Sequence, residues 1–127
     1  WLIVQDNPDE ATHLGQFNAW MGKDARLLLF VMNAGGRLVR QEVRVTTKGE
    51  GGEFRLRGIN LLAGDTHTDV TMVIDHAAAG TVSTEVVRNC VEADHGVANG
   101  RELTMRSERW PTNSTYRSEK LYSLMTK

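Results

Sequence analysis

At 127 residues the chain has the size of one domain, long enough for a hydrophobic core without disulfide or metal staples. A net charge of −1 gives no global attraction to nucleic acid or anionic lipid, and no apolar run approaches the roughly 20 residues that span a bilayer. Cys90 is the only cysteine, which excludes an intrachain disulfide and an all-cysteine metal site and fits a reducing, cytoplasmic compartment.

The chain opens at Trp1 rather than Met, so residues 1–127 read as a single unit cut from a longer protein. Trp1–Val4 reads as a first strand, with a turn at Asp6-Asn7-Pro8-Asp9. Gly15–Met21 reads as a second. Ala25–Asn33 is apolar at six consecutive positions from Leu27 to Met32, which predicts a strand buried on both faces. The following strands alternate. Val39, Val43 and Val45 face one way and Arg40, Glu42 and Arg44 the other. Phe54 and Leu56 point inward, Arg55 and Arg57 outward. Val70, Met72 and Ile74 share a face opposite Asp69, Thr71, Val73 and Asp75. Residues 84–91 fit either a strand or a short helix. Leu103–Met105 and Leu121–Met125 read as late strands. Neither proline, Pro8 or Pro111, interrupts a strand-like run.

Glycine clusters cut these runs: Ala34-Gly35-Gly36, Gly49-Glu50-Gly51-Gly52, Ala63-Gly64-Asp65 and Ala79-Gly80, about 14 to 15 residues apart. Later come Asp94-His95-Gly96 and Asn99-Gly100. Regular strand–turn units without a helical period predict an all-β chain, either a solenoid or a β-sandwich.

Several segments, in order, resemble the core domain shared by SufB and SufD, the iron–sulfur cluster assembly proteins of the SUF system, with SufD the nearer of the two. They are Gln5-Asp6-Asn7-Pro8, Gly36–Arg40, Gly49-Glu50-Gly51, Gly58–Leu62, and above all Asp75-His76-Ala77-Ala78 with Gly80–Glu85. The resemblance continues through Val87-Arg88-Asn89 and Gly96–Gly100 and weakens after Arg101. It implies a right-handed parallel β-helix and so favours the solenoid. It also implies a structural component of cluster assembly, not an enzyme, that pairs with a SufB/SufD-like partner through its β-helix. A homodimer is the other pairing to expect; nucleic acid and membrane are not expected partners. By the same resemblance, the helices that engage the SufC ATPase and the metal-related cysteine and histidine lie past Lys127. Tyr116–Lys120 has no cysteine where SufB-like chains carry a cluster-related one. The expected cofactor content of this segment is therefore none, with no catalytic, cofactor-binding or metal residues assigned.

The residues offer one alternative, a small metal-dependent hydrolase or cupin-like enzyme using His67, Asp69 and His76. On an extended strand His67, Asp69 and Asp75 share one face, where side chains two apart lie about 7 Å from each other and can chelate a metal. His76 falls on the opposite face, and at a turn its ring is placed to bond backbone. Cys90 and His95 are close enough in sequence for a nucleophile–base pair, but Cys90 sits in a run that packs. The Gly49–Gly52 cluster lacks the Lys-Ser/Thr and helix of a phosphate loop and reads as a β corner. The arginines from Arg37 to Arg57 are interleaved with Glu42, Glu50 and Glu53, the pattern of a solvated, ion-paired face.

Overall fold

A computed structural model describes residues 1–93, 104–108 and 115–126, with side chains through Cys90. Nine strands follow one another: β1 (Leu2–Asn7), β2 (Thr12–Met21), β3 (Arg26–Gly35), β4 (Leu38–Thr47), β5 (Glu53–Leu62), β6 (His67–Asp75), β7 (Val82–Ala93), β8 (Thr104–Glu108) and β9 (Thr115–Thr126). There is no helix among the described residues, and hence none long and apolar enough to cross a membrane. The segment left open between strand and helix is therefore a strand, β7.

Odd strands form one sheet in the order β1-β3-β5-β7-β9, and even strands a second in the order β2-β4-β6-β8. Every pairing is parallel. The chain therefore winds as a β-solenoid, each coil giving one strand to each sheet. Two strand–turn units close one coil, so Arg26 pairs with Glu53 and Glu53 with Val82. The repeat seen in the sequence is half a coil.

The interior lies between the two sheets. Leu29, Val31, Phe54, Leu56 and Val87 come from one, and Val43, Val45, Val70, Met72 and Ile74 from the other. Those from β4, β5 and β6 are the inward rows that period-two alternation marks. The outcome differs at β3. Leu29 and Val31 are buried, but Leu28 is 58 % and Phe30 38 % exposed. In a coil of two strands the second face of a strand looks outward, so an apolar run cannot be covered on both sides by the coil alone. The first strand also runs on through Asp6 and Asn7, leaving Pro8–Ala11 as the turn, closed by the Ala11 N–H on the Pro8 carbonyl (2.8 Å).

Corners stack as well as strands. The Asp24 N–H bonds the Glu50 carbonyl (2.8 Å), and the Val82 N–H bonds that of Gly52 (2.9 Å). Gly51 and Gly80 turn with φ of 72° and 66°, which L side chains resist. Gly49 is needed for a different reason. A Cβ there would overlap the Lys23 backbone of the coil beneath, whereas a Cβ on Gly22 would meet nothing within 4 Å. Gly49→Ala is thus expected to cost about 1–3 kcal/mol, since backbone must move. Gly22→Ala, measured in the same thermal melts, should be far milder. Equal melting temperatures would show that the corners do not stack this tightly. Gly58 has an ordinary φ, but a Cβ there would press on Val87 Cγ2 at 3.2 Å. Gly100 lies outside the described residues.

Candidate functional site

The inward rows are not uniformly apolar. Register aligns Gln5 with Asn33, Asn33 with Asn60, and Asn60 with Asn89. All four side chains are buried. Asn33 Nδ2 donates to Asn60 Oδ1 at 2.8 Å, and Asn60 Nδ2 donates to Asn89 Oδ1 at 2.7 Å. At the first coil, Gln5 Oε1 accepts from the Ala34 N–H at 3.1 Å. Identical amides one coil apart thus bond each other along the solenoid axis, as stacked amides do in cross-β structures, while Asn33 Oδ1 and Asn89 Nδ2 at the two ends of the asparagine stack are buried without a hydrogen bond among the described residues.

A second polar group occupies the interior where β6 passes into β7. His76 continues the inward parity of Val70, Met72 and Ile74 and is fully buried. Its Nδ1 lies 2.6 Å from Thr81 Oγ1 and its Nε2 2.8 Å from Ser83 Oγ. With the Thr81 hydroxyl donating to the Ala78 carbonyl (3.2 Å), the tautomer that fits these contacts donates from Nδ1–H to Thr81 and accepts at Nε2 from Ser83. A neutral imidazole meets these bonds with one donor and one acceptor. Burial accordingly lowers the pKa of His76, the nearby Asp75 carboxylate pulling the other way. Glu85, the next inward residue of β7, is buried too. Ser83 stacks on Phe54 and Glu85 on Leu56, so one coil carries polar groups where its neighbour is apolar.

The lowered pKa gives a pH dependence with a definite sign. Unfolded, the ring takes a proton near its ordinary 6.5; folded, only at lower pH. Stability from this group is full above about pH 6.5 and is lost as pH falls from there toward the folded value. Melting temperatures from pH 8 to pH 5 should fall more steeply for the native chain than for His76→Gln. Parallel curves would show that the ring carries no such linkage.

The candidate metal ligands do not meet. His67 and Asp69 lie on the outer face of the even-strand sheet, beside Leu38 and Arg40 of the coil before. Asp69 pairs with Arg40 at 3.7 Å. Asp75 shares their parity at the end of β6, while His76 turns into the core and bonds hydroxyls, not the backbone groups expected from its place in the sequence. The set His67, Asp69, His76 is therefore split between outside and inside, and among the described residues no three His, Cys, Asp or Glu gather to hold a metal. This corrects the enzyme alternative at its geometric basis. Cys90 is half-buried on the outward row of β7, in register with Leu61. His95 lies outside the described residues. The Gly49–Gly52 cluster leads into β5, a strand. The interleaved charges pair as expected, Arg44 with Glu42 and Arg55 with Glu53, both at 2.6 Å.

Sequence reasoning missed the amide ladder, Ser83 and Glu85. Asparagine recurring at 33, 60 and 89 was the available signal, one residue per coil once the half-coil repeat is doubled.

The family model for the SufBD core domain of the SUF system for FeS cluster assembly matches residues 1–106. Iron–sulfur cluster assembly SufBD family proteins of Mycobacterium leprae (strain TN) and Mycobacterium bovis (strain ATCC BAA-935 / AF2122/97) are each 29 % identical to the chain over 91 residues. So is a protein of that description from Mycobacterium tuberculosis (strain CDC 1551 / Oshkosh). In each case the alignment covers 72 % of this chain and 23 % of the relative, so the chain spans about a quarter of the length of the curated relatives it matches. No solved structure matches the chain. With a parallel β-solenoid, its corner glycines and a family match over most of its length, the chain belongs to the SufBD core-domain family.

Proposed function

We propose that the chain is a scaffold unit of SUF-type iron–sulfur cluster assembly that pairs with a SufB/SufD-like protein and does no covalent chemistry of its own. The family membership supports the pathway. The observation that carries the pairing is the mode of coil stacking: strands of successive coils join by parallel backbone bonds, a mode in which a strand from another chain can extend either sheet. Among the described residues β1 bonds β3 and β2 bonds β4, and the second edge of each can take a strand from a preceding coil of the parent protein or from a partner. The inward residues there, Ile3, Phe17 and Ala19, are only partly covered. Trp1 and Phe17, 6.0 Å apart, help line an apolar mouth of about 540 Å³ with Trp20, Met21 and Leu27. Parallel edges over an apolar mouth accept strands from another chain.

A cluster held tightly needs several thiolates, and the chain offers Cys90 alone. The remaining ligands therefore come from a partner or from other parts of the parent protein, as does engagement of a SufC-type ATPase, in the cytoplasm. Co-purification with a SufB/SufD-like protein tests the pairing. Phe17→Glu should weaken it about tenfold while leaving the strand signal in circular dichroism intact. Pairing that survives this change, in a folded variant, would remove the edge from the account. Anaerobic reconstitution with iron and sulfide tests the negative half. A stable species with one cluster per chain, abolished by Cys90→Ser, would overturn it.

A further inference from the structure

The two outer faces of the solenoid differ in kind. On the even-strand sheet the outward side chains of β4 and β6 pair among themselves, Arg44 with Glu42 and Arg40 with Asp69. That face is charged at its middle, and its exposed apolar side chains, Leu14, Trp20 and Leu38, stand at its β2 side and at the start of β4. On the odd-strand sheet apolar side chains face outward on three neighbouring strands, beside the charged Glu53, Arg55 and Arg57 of β5. Register sets Leu2 beside Phe30, Val4 beside Met32, and Met32 beside Ile59. Leu2 is 65 % and Val4 54 % exposed. An exposed panel of contiguous large apolar side chains marks a contact surface, and parallel sheets ordinarily have helices on such faces.

The panel also has a sign. Arg57 stands beside Phe30, and Arg88 beside Ile59. Neither has a carboxylate partner among the described residues, whereas Arg26 and Arg55 share Glu53. Arg57 Nη1 donates only to the Leu56 carbonyl (2.9 Å). A depression of about 460 Å³ opens beside Leu28, between Arg26 and Arg57. A second copy would offer a face of the same sign. The complementary surface is apolar with carboxylates along its flank.

We infer that the outer face of the odd-strand sheet is a docking site for an amphipathic α-helix of another protein, with an apolar stripe on Phe30 and Met32 and an acidic flank on Arg57 and Arg88. This surface is distinct from the strand edges at β1 and β2 that support pairing, and its test reads a different residue set.

The probes are labelled helical peptides of about 18 residues, with a leucine stripe flanked by glutamate, and the same stripe flanked by lysine. Fluorescence anisotropy against the 127-residue chain should show the glutamate peptide binding about tenfold more tightly. Phe30→Glu should abolish that binding. Arg57→Glu combined with Arg88→Glu, a surface change that leaves the interior untouched, should reverse the preference toward the lysine peptide. Leu14→Glu, on the outer face of the other sheet, should change nothing. Equal affinity for the two peptides, or a Leu14→Glu effect as large as that of Phe30→Glu, overturns the assignment. So does self-association in sedimentation that Phe30→Glu removes, which would make the occupant a second copy. A longer parent protein that refuses the glutamate peptide while the 127-residue chain binds it would place the helix within the same polypeptide and overturn the assignment to another protein.

Discussion

Phe54→Ala is expected to lower the melting temperature by about 10–20 °C, through a loss of about 3–5 kcal/mol. Among the residues whose side chains are described, Phe54 is the largest that is fully buried, and it stands on an inward row between Leu27 and Ser83. Its loss opens a space in the core cluster to which both sheets contribute, and strands held at fixed spacing by backbone hydrogen bonds cannot collapse into it. Phe54→Leu, which keeps most of the volume, should recover more than half of the loss. Differential scanning calorimetry on the three chains decides the matter. A drop of under about 3 °C for Phe54→Ala would mean that the two sheets are not packed around this position.

Asn60→Ala should be nearly as damaging, at about 2–5 kcal/mol, although no apolar core residue is touched. Asn60 is the middle of the amide ladder. Removing its side chain takes the acceptor from Asn33 Nδ2 and the donor from Asn89 Oδ1, and both groups stay buried. Each buried polar group left unmet costs about 1–3 kcal/mol. Gln5→Ala should cost less, because Gln5 bonds only corner backbone, at 3.1 and 3.4 Å, and removes no rung from the asparagine stack. Urea melts of both variants should rank Asn60→Ala well below Gln5→Ala. The reverse order would show that the ladder contributes little.

The sequence made the strands legible wherever one face was apolar and the other charged. Val43 and Val45 against Arg44, or Phe54 and Leu56 against Arg55, leave no doubt which side is inside, because burying an unpaired guanidinium is prohibitive. β3 hid its inward row, since six apolar residues in succession carry no alternation to read. What faced outward there was visible only once the coil had supplied a single interior. The polar interior was hidden for the opposite reason. Asn60, Asn89, Ser83 and Glu85 each resemble a surface residue when taken alone. For Asn60, Asn89 and Ser83 burial goes with partners a full coil away or across a corner, which pattern within one strand does not show. His67, Asp69 and His76 illustrate the same limit. Proximity in sequence placed them together, and strand parity separated them.

The parallel pairing also has a mechanical meaning. The backbone bonds between coils lie along the solenoid axis, because each strand bonds only the strands of the coils before and after it. A pull along that axis therefore loads a few bonds at the outermost coil, not the whole sheet in shear. Under force the molecule should peel from its ends, one coil at a time. Each event would release about 90–100 Å of contour, the extended length of the roughly 28 residues between paired positions such as Leu2 and Phe30. A rod built in this way resists bending and compression while yielding in small, repeatable steps under tension.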